Sequence, residues 1–326
     1  MLKIGVLGAG HLGKIHIRLL KEIEAFELIG FHDQDAATAA KVSSDFDIPH
    51  YENIEQLIND CDAIDVVTPT ISHFECAEMA IKKSKHVFIE KPLADTLEHA
   101  KQLVDLAKEA NIIAQVGHVE RFNPAFMAIS DELIDPMFIE AHRLASFNPR
   151  GTDVSVVLDL MIHDIDIILS VVKSNVKRIS ASGIPVISNK PDICNARIEF
   201  DNACVANITA SRISMKQMRK IRMFQKDTYL SVDLLEKKTE IFRLNKKADE
   251  SNPMSFEIET GVEGEKKFVS YKLPEIKESN AIKTELECFA RSILGEIETP
   301  VSLLEGYNAL KVAYQILEKI EKNRLA

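Results

Sequence analysis

Ile4-Gly5-Val6-Leu7-Gly8-Ala9-Gly10-His11-Leu12-Gly13 decides the fold. A short apolar run meets the spacing G-x-G-x-x-G at Gly8, Gly10 and Gly13, and a helical pattern follows. Gly8 permits a tight turn, Gly10 lets the backbone approach a pyrophosphate, and Gly13 lets helix and strand pack closely. The helix N-terminus then offers N–H groups and a positive dipole end to phosphates. His11 and Leu12, inside the turn, join the candidate cofactor-binding residues. The motif alone is a weak signal; between a strand and a helix it is strong. The competing reading is a glycine turn without a ligand.

Outward from this stretch, residues 1–120 alternate strand and helix patterns. Strands are expected at 2–7, 27–32, 63–68, 86–89 and 112–117, with helices at about 11–23, 35–44, 53–59, 72–83 and 96–110. Short strands rich in Ile and Val suit burial on both faces. Alternation with helices predicts a parallel sheet with right-handed crossovers. Beyond about residue 120 the pattern changes. A strand-like stretch at 137–147 and a helix at 156–173 lead into period-two stretches near 177–187, 194–200, 203–211, 219–225, 229–233, 238–243, 254–260 and 266–273. Successive strands without helices between them predict an antiparallel sheet. Helical patterns at 281–294 and 303–323 close the chain. The expected domains are 1–120 and 121–326.

In an open parallel sheet, ligands bind beyond the carboxyl ends of the strands. Asp33 follows the second strand, about 25 residues after Gly8, where an acid commonly holds the adenosine ribose hydroxyls. A carboxylate there repels a 2′-phosphate and favours NAD over NADP. Asp33 is also placed to cap the next helix. The third strand runs into Thr68-Pro69-Thr70, with His73 at a helix start. The fourth delivers Glu90-Lys91-Pro92. A residue before proline is held extended, and its bond to proline is a candidate for the cis form. A lysine ammonium there can hydrogen-bond a substrate hydroxyl, and partial desolvation would lower its pKa toward proton transfer. The bland alternative is a surface lysine at a strand end.

Asp159 and His163, at i and i+4, are expected on one helix face. His163 is the residue of that stretch whose ordinary pKa suits proton exchange near neutrality; an exposed ion pair is the alternative. Asp164 and Asp166 read as structural. Arg121, Arg143 and Arg150 lie near segments expected to line a cleft, and guanidinium groups suit phosphates. Arg219-Lys220-x-Arg222 reads as a solvated strand face, or as reaching a diphosphate in a neighbouring subunit. The chain has 326 residues and a net charge of −10, which gives nucleic-acid binding little electrostatic support. Five scattered cysteines without a Cys-x-x-Cys pair suggest reduced thiols in a cytoplasmic protein, with no metal site. No apolar run approaches the ~20 residues that span a bilayer, so no membrane association is expected.

Gly8-Ala9-Gly10-His11-Leu12-Gly13, Thr68-Pro69-Thr70-x-x-His73 and Glu90-Lys91-Pro92 together resemble the glucose-fructose oxidoreductase/inositol dehydrogenase/MocA-like family. The resemblance continues through Gly117-His118-Val119-Glu120-Arg121-Phe122-Asn123-Pro124, Asp159-x-x-x-His163 and Thr299-Pro300-Val301 with its following helix, nearly the full length. It implies an α/β protein with two parts. One is an N-terminal Rossmann domain with a doubly wound parallel sheet. The other is a C-terminal α/β domain with an open, mainly antiparallel sheet, used for substrate binding and assembly into a homodimer or homotetramer. It implies oxidation or reduction of a sugar or cyclitol carbinol with bound NAD.

By the same resemblance, Lys91 contacts the reacting hydroxyl, His163 is the general acid/base and Asp159 helps fix the substrate. Arg121, Asn123 and Arg150 are further substrate candidates, and Thr68, Pro69, His73 and Glu90 join Asp33 and the glycine turn around the cofactor. Many members carry glycines near the Asp-His pair where this chain has Asp153-Val154-Ser155-Val156-Val157 and Met161. That pattern resembles the branch acting on UDP-N-acetylated sugars, whose 3-keto product a partner aminotransferase uses. A dehydrogenase of a free sugar or of a cyclitol such as inositol, a glycosidase working by transient 3-oxidation, and a non-catalytic NAD(H)-binding regulator stand as alternatives.

Overall fold

In the computed structural model, which describes residues 1–132, 134–148, 154–247, 255–259 and 266–325, the alternation expected at the start of the chain is present element by element. Strand β1 (Leu2–Leu7) leads to α1 (His11–Leu20), β2 (Phe26–His32), α2 (Ala36–Phe46), α3 (Ile54–Asp60), β3 (Ala63–Val66), α4 (His73–Lys82), β4 (His86–Glu90), α5 (Leu97–Glu109) and β5 (Ala114–Gly117). All pairings are parallel, in the order β2-β1-β3-β4-β5. Ile4, Val6, Ile64, Val66, Val87, Phe88 and Ile89 are fully buried, as strands covered on both faces require. The strand order turns back between β1 and β3, so the switch point lies where these two strands end.

A short helix, α6 (Pro124–Met127), opens the second part of the chain. It is followed by β6 (Phe138–Leu144), a π-helical stretch at Val157–Met161 and α7 (Ile162–Val171). Among the described residues eight strands come next: β7 (Val176–Ile184), β8 (Ile193–Phe200), β9 (Val205–Ser211), β10 (Met218–Gln225), β11 (Thr228–Asp233), β12 (Lys238–Asn245), β13 (Ser255–Glu259) and β14 (Lys266–Lys272). They form one sheet with β6, in the order β13-β14-β12-β11-β10-β6-β9-β8-β7. Every pairing is antiparallel except β6 with β9. Alternate residues face opposite sides: Ile139, Met223, Leu230 and Ile241 are buried. Their neighbours Phe138, Phe224, Tyr229, Phe242 and Tyr271 stand in register across five strands. Successive ring centroids there lie 4.6–6.0 Å apart.

Two helices end the chain, α8 (Ala281–Ile293) and α9 (Leu303–Leu325). The chain divides into two compact units, Met1–Phe122 with Ser279–Lys311, and Asn123–Glu278 with Val312–Ala326. Residues 279–311, placed by the sequence in the second domain, therefore belong with the first sheet. Phe289 of α8 contacts the rings of Phe26 and Phe88 and is fully buried; losing such a side chain costs about 3–5 kcal/mol. The edge of β5 is covered as well. Val116 N–H donates to the Val301 carbonyl at 3.0 Å, and Gln115 bridges to Ser302. An uncovered edge would offer unpaired backbone groups to other chains.

Candidate functional site

At the switch point Gly8 has a φ of +97°, and a Cβ there would lie 2.7 Å from the Val67 carbonyl oxygen. Only glycine fits both demands. A Cβ on Gly13 would overlap the Gly8 carbonyl oxygen, so the close helix–strand approach is real. Gly10 differs, being exposed with nothing within 4 Å of the position its Cβ would take. It also begins α1 without a side-chain cap, whereas Asp35, Asn53 and Thr96 cap α2, α3 and α5. The first N–H groups of α1 are thus left to an external anion. His11 is exposed and Leu12 half-buried at this end.

Asp33 closes the turn from β2. Its Oδ2 accepts the Ala9 N–H at 2.6 Å, and its Oδ1 accepts the Asp35 N–H at 2.9 Å. Asp35, not Asp33, caps α2 by accepting the Thr38 N–H at 3.0 Å. An open glycine turn, an uncapped helix start and a half-buried carboxylate beside them fit the pyrophosphate and ribose of a dinucleotide.

The ends of β3 and β4 meet through His73. Its Nδ1 lies 2.9 Å from the Pro92 carbonyl and its Nε2 2.9 Å from the Thr68 carbonyl. Burial outweighs both carbonyls and holds the imidazole below the ordinary histidine range. His73 is 1% exposed, and its ring lies between the two carbonyls, donating to one of them when neutral, so it packs against both loops. Thr68 is half-buried and Pro69 exposed. Glu90 is buried, Lys91 is half-buried, and the Lys91–Pro92 bond is cis.

Arg121 pairs with Glu305 at 2.8 Å. Asn123 accepts the Ala125 N–H at 3.1 Å as the cap of α6, and its amide donates to the Leu234 carbonyl at 3.0 Å. Both ends of its side chain serve the fold, so any substrate contact would have to share them. Arg143 is spent on Asp164. Its Nε and Nη2 reach the two carboxylate oxygens at 3.0 and 2.9 Å, with both side chains buried. That sets Arg143 against a carboxylate rather than a phosphate and gives Asp164 a side-chain partner. Arg150 lies outside the described residues.

Arg222 pairs with Glu140 on the neighbouring strand at 3.2 Å. Asp159 falls in the π-helical stretch and His163 in α7, where a regular α-helix was expected. Both are half-buried, while Val157, Met161, Ile162 and Asp164 are buried. Single π turns inside helices occur disproportionately at functional positions.

One cluster was not anticipated. His16 of α1, Asp65 of β3, Gln115 of β5 and Glu285 of α8 are all fully buried, with Glu90 at 7% exposure. The signal was present in the sequence. Asp65 interrupts Ala63-Ile64-Asp65-Val66, Gln115 interrupts the last strand, and Glu285 sits on the apolar face of its helix. Each is a polar residue in a place that the pattern reserves for apolar ones.

Residues 2–118 match the oxidoreductase family with an NAD-binding Rossmann fold. The UDP-N-acetylglucosamine 3-dehydrogenase of Acidithiobacillus ferrooxidans is 35% identical over 242 residues, 74% of this chain and 77% of that protein. Its solved structure superposes with a TM-score of 0.87 at 29% identity over 98% of both chains. The scyllo-inositol 2-dehydrogenase (NAD(+)) of Bacillus subtilis is 28% identical over 231 residues, 65% of this chain and 68% of that one.

Proposed function

The chain belongs to the oxidoreductase family with an NAD-binding Rossmann fold, and on that premise we propose that it oxidises the C3 carbinol of a UDP-N-acetylated hexosamine, or of its uronate, to a 3-keto sugar. The observation that carries this reading is the likeness to UDP-N-acetylglucosamine 3-dehydrogenase along 98% of the chain. Gly8, Gly10, His11, Leu12 and Gly13 hold the pyrophosphate, and Asp33 holds the ribose. The open Gly10 and uncapped α1 support this assignment. When bound, NAD supplies the hydride acceptor. Lys91, at the tip of β4, hydrogen-bonds the reacting hydroxyl and stabilises the negative charge that develops on its oxygen. His163 takes the hydroxyl proton as the C–H electron pair leaves as hydride. Asp159, one turn before, orients the imidazole or the sugar. Arg150 and Arg121 are the guanidinium groups assigned to the diphosphate.

The same reading places the protein in the cytoplasm as a homodimer or homotetramer. The in-register aromatic series on the second sheet, with Phe224 37% exposed, supports contact with a second copy, which sedimentation would measure. A keto sugar is a substrate for amination, so an aminotransferase is the proposed partner.

The test is to incubate stoichiometric protein and NAD with UDP-N-acetylglucosamine and record the mass of the nucleotide sugar before and after trapping with hydroxylamine. A product lighter by two hydrogens, captured as an oxime, is expected. Conversion of free scyllo-inositol instead would favour the cyclitol reading, which the 28% identity to scyllo-inositol 2-dehydrogenase supports. Lys91→Ala and His163→Ala are each expected to cut turnover at least tenfold, ~1.4 kcal/mol of transition-state stabilisation, with NAD affinity nearly unchanged.

A further inference from the structure

We propose that His16 and Asp65 are positioning residues for Lys91: Asp65 orients the His16 imidazole, which holds the Glu90 carboxylate against the Lys91 peptide N–H and so fixes where the lysine leaves strand β4. This rests on the assignment of Lys91 above.

The geometry forms a continuous chain. Asp65 Oδ2 lies 2.9 Å from His16 Nδ1. His16 Nε2 lies 3.3 Å from Glu90 Oε1, an ion-pair contact not aligned as a hydrogen bond. The other oxygen, Glu90 Oε2, accepts the Lys91 N–H at 3.1 Å. Gly117 makes room for this carboxylate, since a Cβ at that position would lie 2.8 Å from Glu90 Oε1. The Phe88 ring packs edge-on against the His16 ring with centroids 5.8 Å apart. Helix α1 and strand β5 thus meet the Glu90 side chain at the end of β4, with β3 behind His16, and the lysine follows it directly in the chain.

Charge supports the same arrangement. Three carboxyl groups, Asp65, Glu90 and Glu285, surround one imidazole. Burial opposes a charge on His16, but Asp65 and Glu90 together outweigh it and hold the imidazolium well above the ordinary range. A protonated ring carries an N–H on both nitrogens: one is hydrogen-bonded to Asp65 and the other faces Glu90 as an ion pair. Burial, and the charge on Glu90 after it, pushes Glu285 well above the usual carboxyl range, so its carboxyl holds a proton more tightly than an exposed one. Such a cluster is costly when buried among apolar core side chains. Its cost is understandable if it sets the position of a reacting group.

Two measurements on the full chain test the proposal. The first is hydrogen exchange of the Lys91 amide in His16→Gln. It is expected to exchange at least tenfold faster, while the Val87, Phe88 and Ile89 amides of the same strand keep their protection. A uniform loss along β4 would mean that His16 only stabilises the fold. The second is a double-mutant cycle on kcat. His16→Gln should lower kcat about tenfold, ~1.4 kcal/mol, with the NAD Kd unchanged. In a Lys91→Ala background it should cost less than about twofold. Equal losses in both backgrounds, or an unchanged Lys91 amide, overturn the proposal. If His16→Gln does not fold, Asp65→Asn carries both measurements. Full turnover in Lys91→Ala alone would instead refute the catalytic assignment of Lys91, and the exchange result would still judge the geometry.

Discussion

Each unit buries a charge cluster, and the two are finished differently. In the second unit Arg143 and Asp164 form a two-pronged pair with the carboxylate oxygens matched to the guanidinium. In the first unit His16, Asp65, Glu90 and Glu285 are electrostatically coupled in the interior, and among the described residues Asp65 Oδ1 and both Glu285 oxygens have no hydrogen-bond partner. A matched pair fixes a fold and asks nothing more of its surroundings. An unmatched cluster one residue from Lys91 carries an energetic cost that folding alone does not explain.

The largest expected effect breaks the matched pair. Arg143→Met leaves the Asp164 carboxylate buried and uncompensated, and should cost the second unit about 3–5 kcal/mol by denaturant unfolding. A loss under about 1 kcal/mol would erase the contrast. Next in size, Glu285→Leu removes two unpartnered oxygens in exchange for an apolar side chain and should stabilise the first unit by about 1–3 kcal/mol.

The pH dependence sharpens this. Glu285 and His16 both have raised pKa values in the folded chain, so the native state holds protons that the unfolded state releases. Stability therefore falls as pH rises. The Glu285 share is lost from its ordinary 4.5 upward and the His16 share from 6.5 upward. Melting of Glu285→Leu across pH 5 to 8 should lack the earlier decline and keep the later one. The smallest effects concern helix starts. Thr96→Ala removes the cap of α5 and should cost about 1 kcal/mol. Gly10→Ala has no cap to lose and an open space for its methyl, so stability should stay within about 0.5 kcal/mol. NAD affinity should nevertheless drop, as calorimetry would read.

What the sequence disclosed follows from the range of each interaction. The glycine turn, the strand ends and the strand alternation are local patterns, and β1 to β5 lie within two residues or so of their expected bounds. The Arg143–Asp164 pair joins residues 21 apart on a strand and a helix, and no periodicity announces it. Gln115 donates to the Glu285 carbonyl across 170 residues, which is why α8 was assigned to the wrong part of the chain. The resemblance places His73 beside the cofactor, whereas a lone histidine at a helix start reads as structural. Its two carbonyl partners come from loops that only the folded sheet brings together. The π turn at Asp159 left no trace in a pattern that a regular helix would satisfy equally well.

The strip at Val301-Ser302 that covers the edge of β5 also sets a timetable. A ribosome delivers β1 through β5 and must then emit residues 123–278 before α8 and that strip emerge. At about 5–20 residues per second, this interval lasts roughly 10–30 s. During it the nascent sheet stands with a bare edge and with Phe26 and Phe88 lacking Phe289. The first unit is therefore begun early and completed late, and a chaperone that shields an apolar sheet face would find its longest opportunity in that gap.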